Sequence, residues 1–247
     1  MTAGNVSARI YGRYQRTSSR LLFRRPLTMQ NSDPIISFTF DDFPRSALHT
    51  GGAILRRCGV TGTYYASFGL MGKQAPTGII FVAEDLRHVL EQGHELGCHT
   101  FAHCHSWDTK PSVFEASIVE NRHALLALVP DARFRTHAYP IGPPWPLTKR
   151  RVATHFACSR GGGQTFNGAV TDLDNLSAYF LEQARGDLVL VKSMIERNCR
   201  ESGWLIFATH DVCDTPTPYG CTPAFFEAVV QGAVSSGAMI LPVVEAL

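Results

Sequence analysis

The sequence predicts a single α/β domain with a largely parallel sheet, closed as a barrel. Three observations carry this expectation. Short apolar runs alternate with helix-periodic stretches from residue 34 onward. No linker rich in Gly, Pro or Ser divides the 247 residues, and no internal repeat is present. Three of the apolar runs stop on titratable residues, as strands do where a barrel gathers chemistry at one mouth.

Residues 1–33 read as a basic N-terminal extension, with Arg9, Arg13, Arg16, Arg20, Arg24 and Arg25 and no acid before Asp33. It lacks the apolar stretch and small-residue cleavage site of a secretory signal. It shares an Arg-rich composition with transit peptides, and is expected to be a packed or mobile extension. Ile35, Ile36, Phe38 and Phe40 then make a strand. Ser46–Cys58 is expected to be helical, with Leu48, Ile54 and Leu55 on one side and Gly59 as its stop. Val60–Phe68 is aromatic and β-branched, so it reads as a second strand. After a loop over Met71–Gly78, Glu84–Gln92 is a helix with acids at its start and Gly93 at its end. His94–Cys98 is a short third strand.

Pro111–Val129 carries the longest helical pattern, with Phe114, Ile118, Leu125 and Leu128 on one face. Asp131–Arg135 reads as a brief strand. Tyr139–Pro146 holds four prolines and must be irregular. His155–Ser159 reads as another strand, before a flexible Gly161–Gly163 run. A helix around Leu188, Val191 and Ile195 leads to the apolar strand Trp204–Thr209. Thr222 and Pro223 cap a further helix, and Met239–Val244 is the last strand.

Bulk properties exclude several classes. The chain is 45% hydrophobic and 18% charged, with a formal net charge of +2, so no broad basic face points to nucleic acid. No apolar run approaches the roughly 20 residues of a membrane span. The cysteines (58, 98, 104, 158, 199, 213 and 221) are scattered with no C-x-x-C pair, which argues against a disulfide framework and for a reducing, cytoplasmic setting. No Gly-x-Ser-x-Gly elbow is present, and the glycine run does not open a clear helix as a phosphate loop would.

The titratable strand ends are Asp41-Asp42, His99 with His103, and His210-Asp211. Each has a plain alternative. An Asp pair suits a turn, two of ten histidines fall four apart by chance, and His210 could be packed in a core. Together they suit a catalytic metal. Adjacent strand residues point to opposite sides, so one carboxylate can serve a cation and the other substrate. Histidines at i and i+4 share a face on a helical turn. One carboxylate and two imidazoles leave open positions on a divalent ion, as catalytic sites do.

Thr39-Phe40-Asp41-Asp42, then His99-Thr100-x-x-His103, then a loop with Arg135, then a strand ending in His210-Asp211, together resemble the polysaccharide deacetylase family (NodB homology domain, carbohydrate esterase family 4) over about residues 35 to 244. The resemblance implies a distorted (β/α) barrel of seven or eight strands, NodB-type, spanning residues 34–247. It implies a metal-dependent hydrolase that removes an N-acetyl group from a saccharide or polysaccharide precursor. The implied metal is Zn2+, with Co2+ or Ni2+ as alternatives. By motif, Asp41 resembles the general base, His210 the general acid, and Arg135 the arginine that orients the base. Asp42, His99 and His103 resemble the metal ligands. Tyr139 and Trp145 are expected to touch substrate.

The third motif departs from the family pattern, reading Arg135-Thr-His137-Ala-Tyr139-Pro140-Ile-Gly142. The fourth has no match, leaving Asp172 or Asp174 as candidates to tune His210. His105 and His137 are candidate spare ligands or surface residues. Two alternatives follow from the same residues: a non-sugar amide or ring-opening hydrolase, and a metal-containing carbohydrate-binding protein without turnover. The expected partner is an N-acetylated saccharide or related amide, with no nucleic acid and no membrane span.

Overall fold

The computed structural model describes residues 3–247, with side chains from Arg9 onward. Eight strands form one parallel sheet: β1 (Ile35–Phe40), β2 (Thr63–Ala66), β3 (Glu95–Cys98), β4 (Thr136–Ala138), β5 (Cys158–Arg160), β6 (Tyr179–Phe180), β7 (Trp204–Thr209) and β8 (Met239–Ile240). The order is β6-β7-β1-β2-β3-β4-β5, with β8 pairing the start of β1. Most strands thus lie beside their neighbours in sequence, and the sheet curls into a distorted barrel. A bridge from Arg160 to Leu176, just before β6, draws the free edges together.

Strand alternation sorts β1. Ile36, Phe38 and Phe40 face the helices, where Phe38 stacks on Phe207 at 5.6 Å and Phe40 on Tyr64 at 4.8 Å. Ile35 belongs to the separate interior cluster around Trp204, whose indole N–H donates to Ser37 Oγ. Thr39 continues the inward series, and its hydroxyl donates to the Phe207 carbonyl. Asp41 follows on the same face at the strand's end.

Among the described residues, seven α-helices surround the sheet: α1 (Ala3–Leu21), α2 (Ala53–Arg57), α3 (Ala83–Glu91), α4 (Pro111–Leu128), α5 (Pro146–Val152), α6 (Leu188–Arg200) and α7 (Pro223–Ser235). Asp187 caps α6 by accepting from the Val189 and Leu190 amides. Thr222 caps α7, with Pro223 in its first turn. Ser46–Cys58, expected as one helix, is a π-helical turn over Ala47–Gly52 followed by α2.

The two strands flanking the proline-rich stretch differ from expectation by a few residues. Asp131–Arg135 forms no strand, and the ladder begins at Thr136. The strand expected to stop at Ser159 runs on to Arg160. The basic extension is packed. Pro26–Thr28 pairs antiparallel with Val170–Asp172, and the buried Lys149 ammonium donates to the Ser19 and Leu22 carbonyls. Among the described residues, no helix is long and apolar enough to cross a membrane, and all seven cysteines are free.

Candidate metal and catalytic site

The Asp41-Asp42 pair divides at the end of β1. The Asp41 amide still donates across the ladder to the Thr209 carbonyl, so its side chain stays on the inward face. Asp42 turns to φ 60° and Phe43 to φ 55°. This left-handed conformation is costly for L-residues and persists where surrounding contacts enforce it. The turn sends the two carboxylates to different partners.

Asp42 meets the histidines. Its Oδ1 lies 2.9 Å from His103 Nε2 and 3.5 Å from His99 Nε2. One donor atom from each of the three residues falls within 4.8 Å of the others. The other oxygen, Oδ2, accepts from the Thr77 hydroxyl at 2.9 Å. Thr77 lies in the hairpin between Gln74–Ala75 and Gly78–Ile79, and nothing in the sequence marked it. His99 Nδ1 donates to the Ala138 carbonyl at 2.9 Å, which frees Nε2 as a ligand atom.

The histidines do not lie on a helical turn, as their spacing suggested. Thr100 and His103 have φ of 59° and 51°, and the loop between them is pinned from α4. There Ser117 Oγ accepts from the Phe101 and Ala102 amides. Burial alone would raise Asp42, but the His103 contact and the nearby imidazoles of His99, His103 and His210 hold it well below the usual carboxylate range. Burial pushes His99 down to about 4, against the pull of Asp41. Both groups are therefore poised in the forms that bind cations: carboxylate and neutral imidazole.

Asp42 Oδ1 is buried and accepts no well-aligned hydrogen bond, with only the two imidazole nitrogens beside it. A buried carboxylate oxygen without a donor is costly, unless it is reserved for a ligand. Two imidazole nitrogens aimed at the same point fit a divalent metal, and a hard-and-borderline O/N/N set suits zinc, cobalt or nickel.

Asp41 meets an arginine, and that arginine is Arg160, not Arg135. The Arg160 guanidinium, 1% exposed at the end of β5, donates to Asp41 Oδ1. Its carbon sits 4.8 Å over the Tyr65 ring and 5.8 Å from that of Phe180. Tyr65 can lie there because residue 97 is glycine: a Cβ on Gly97 would come within 2.4 Å of the ring. Arg135 corrects the sequence expectation. It is exposed, precedes the first residue of β4, and lines a small cavity with Gly93, His94 and Pro242 at the opposite end of the barrel. Parallel strands put their last residues at the mouth and their first at the floor, so a strand end misplaced by a few residues exchanges the two arginines.

His210 follows β7 at the mouth, half-buried, with Nδ1 3.1 Å from the Tyr219 carbonyl. Asp211 does not tune it. Its carboxylate accepts from the amide and hydroxyl of Thr217 and ties down the 211–221 loop. Asp172 and Asp174 are also committed elsewhere, to Lys149 and to Arg25. Glu182, on the turn after β6, is a mouth carboxyl that the sequence did not reveal, with Oε2 buried and unpartnered. Burial pushes it up to about 8, with the charges of Asp41 and Asp211 adding and Arg160 opposing.

Tyr139 is a second correction. Its ring is 4% exposed and packs edge-on against His137 at 4.7 Å, in the layer between sheet and helices. Its amide is already donated to the Arg160 carbonyl, so neither group can reach a substrate. His137 is likewise fully buried. Trp145 is half-buried on the rim, 6.2 Å from Trp107, and its amide donates to Ser106 Oγ in the His103 loop. His105 pairs with Asp108.

The polysaccharide deacetylase family model matches residues 28–156, just over half of the chain. The chain belongs to the polysaccharide deacetylase family. Solved structures agree with the deacetylase fold. The Xyl-CE4 domain of a multidomain xylanase from the hindgut metagenome of Trinervitermes trinervoides is 16% identical, with TM-score 0.60, covering 87% of this chain and 89% of that one. A family 4 acetyl xylan esterase from Clostridium thermocellum, in complex with a cobalt ion, is 18% identical with TM-score 0.60, covering 85% and 89%. A family 4 pseudoenzyme from Bacillus anthracis is 12% identical with TM-score 0.57, covering 87% of this chain and 65% of that one. No curated protein matches significantly. The family match includes Asp41, Asp42, His99 and His103 but stops before Arg160, Glu182 and His210.

Proposed function

We propose that this deacetylase is a metal-dependent hydrolase that removes the acetyl group from an N-acetylated saccharide or a saccharide precursor. The observation that carries the reading is the division of Asp41 from Asp42: one buried carboxylate clamped by Arg160, the other open beside two imidazoles. Asp42, His99 and His103 would hold one divalent ion, most often zinc in such a ligand set. When bound, the ion would polarise the acyl carbonyl and raise the acidity of nearby water.

The chain's own residues supply the proton transfers. Asp41 accepts a proton from the attacking water, and the Arg160 guanidinium holds it oriented. His210 donates to the departing nitrogen. Its Nδ1–H is donated to the Tyr219 carbonyl, so the proton it delivers is the one on Nε2. Trp145, with Trp107 beside it, offers a flat rim surface on which a sugar ring can stack. A non-catalytic binding role is disfavoured, because Asp41, His210 and the Asp42-His99-His103 cluster gather at one mouth. A cytoplasmic setting, supported by seven free cysteines, suits a small or precursor substrate over mature cell wall.

The test is acetate release by the zinc-, cobalt- or nickel-loaded protein. N-acetylglucosamine oligomers are the main substrates, and an acetylated xylan joins the panel because an esterase is among the structural neighbours. Asp41→Asn is expected to lower the rate by about 10³-fold or more while metal uptake persists. Opening of cyclic amides with no acetate release would instead establish the ring-opening alternative.

A further inference from the structure

The N-terminal helix α1 lies outside the family match, and the hydrolase reading makes no use of it. Its exposed surface has a definite pattern. At 100° per residue, Arg9, Arg13, Arg16 and Arg20 fall within a sector of about 60°, along about 16 Å of helix. All four are exposed, and none forms an ion pair with a described residue. The helix contains no acidic residue. Beside the stripe lie Ile10 and Leu21, which are 65% and 67% exposed. Leu22 and Phe23 extend this surface past the helix end, at 49% and 43%.

The opposite side of α1 is anchored. Ser18 and Ser19 are buried, and the Ser19 hydroxyl accepts from the Asn175 amide. Tyr11 and Tyr14 meet the Trp107 ring edge-on, at 6.0 Å and 5.8 Å. The helix is therefore held beside the rim of the active-site mouth, with its cationic and apolar sectors turned outward.

We propose that α1 docks the protein on an anionic lipid surface. A row of unpaired arginines flanked by exposed aliphatic and aromatic side chains is the pattern of a helix lying in a membrane interface, with low mean hydropathy and a strong polar face. Headgroup phosphates pair with the arginines, and Ile10, Leu21, Leu22 and Phe23 leave water among the acyl chains. A soluble polyanion would use the arginines but leave the apolar sector exposed, so a lipid surface accounts for more of the helix. Docking here brings the mouth close to saccharide carried at that surface. The proposal does not rest on the hydrolase reading, because binding is read without turnover.

The experiment is co-sedimentation of the full chain with vesicles of phosphatidylglycerol and phosphatidylcholine in equal parts, against phosphatidylcholine alone. Binding is expected only to the anionic vesicles, falling as salt rises. The triple variant Arg13→Gln, Arg16→Gln, Arg20→Gln should bind about a hundredfold more weakly. The pair Ile10→Ser, Leu21→Ser should bind at least about tenfold more weakly. Unchanged thermal unfolding of both variants would show that the fold is intact. Absence of binding to anionic vesicles would overturn the proposal. So would full binding by the arginine variant, or binding indifferent to the serine pair but displaced by soluble polyphosphate.

Discussion

Strand β3 begins on a buried carboxylate and ends beside a buried imidazole, and the two ends of the barrel spend their polar atoms differently. At the floor, both oxygens of Glu95 are taken: the Thr136 hydroxyl donates to one, and the Thr63 hydroxyl and Val244 amide to the other. Burial pushes Glu95 up, and these donors pull it back. At the mouth, Asp42 is as deeply buried, yet one of its oxygens accepts no well-aligned hydrogen bond and faces only two imidazole nitrogens. The floor is saturated and serves the fold. The mouth holds a carboxylate oxygen between two imidazole nitrogens on a strained turn, an arrangement suited to the proposed metal. What a buried polar group lacks tells its role as clearly as what it has.

If this contrast is right, substitutions at the two ends should separate stability from activity. The largest effect is expected at Arg160, which belongs to both. Arg160→Gln leaves Asp41 buried without its partner, so stability should fall by about 3–5 kcal/mol. Acetate release should fall by at least about 100-fold in the fraction that remains folded. Denaturant unfolding paired with rates per folded molecule reads both, and full activity would show that Asp41 does not need the guanidinium.

At the floor, Glu95→Gln sets an amide N–H2 against hydroxyl and amide donors. It should cost about 1–3 kcal/mol while leaving kcat and metal uptake unchanged. A loss of metal uptake there would break the distinction between the two ends.

The smallest effect is a pH dependence at His94, beside the floor. Its Nδ1 accepts the Gly62 amide, its Nε2 is buried without a partner, and burial pushes it down to about 4. A histidine depressed in the folded state is neutral there while the unfolded chain takes up a proton near pH 6.5. Its contribution is thus fully present above about pH 6.5 and is lost as pH falls toward 4. The melting temperature of His94→Gln should decline less than that of the parent over this window. Equal slopes would place the acid sensitivity elsewhere, for example at the buried His137.

The parts of the site that could be read in the sequence are those whose chemistry is written in consecutive residues. Asp41-Asp42 follows an unmistakable strand, and His99 and His103 are separated by one short loop. Arg160 could not be read in the same way. The alternation of Ala132 and Phe134 with arginines imitates a strand, but those residues find no ladder partner, and the real strand starts only after Arg135. The expected strand His155–Ser159 stopped one residue short of the arginine that matters. An arginine just before the Gly161–Gly163 run was the available signal. Glu182 follows a strand of two residues, too short to show periodicity. Thr77 reaches Asp42 from a hairpin that only tertiary contacts define. The fold itself was legible because alternating elements survive such errors. A residue's place at mouth or floor does not, since a shift of a few residues along a strand reverses it.

The most direct test of the divided pair is a titration of the metal-free protein with zinc, followed by calorimetry. The parent should take up one ion per chain, Asp41→Asn should take up the same, and Asp42→Asn should lose at least about tenfold in affinity. If Asp42→Asn binds zinc as tightly as the parent, or if Asp41→Asn is the variant that loses the ion, the two carboxylates do not have the separate roles assigned to them here.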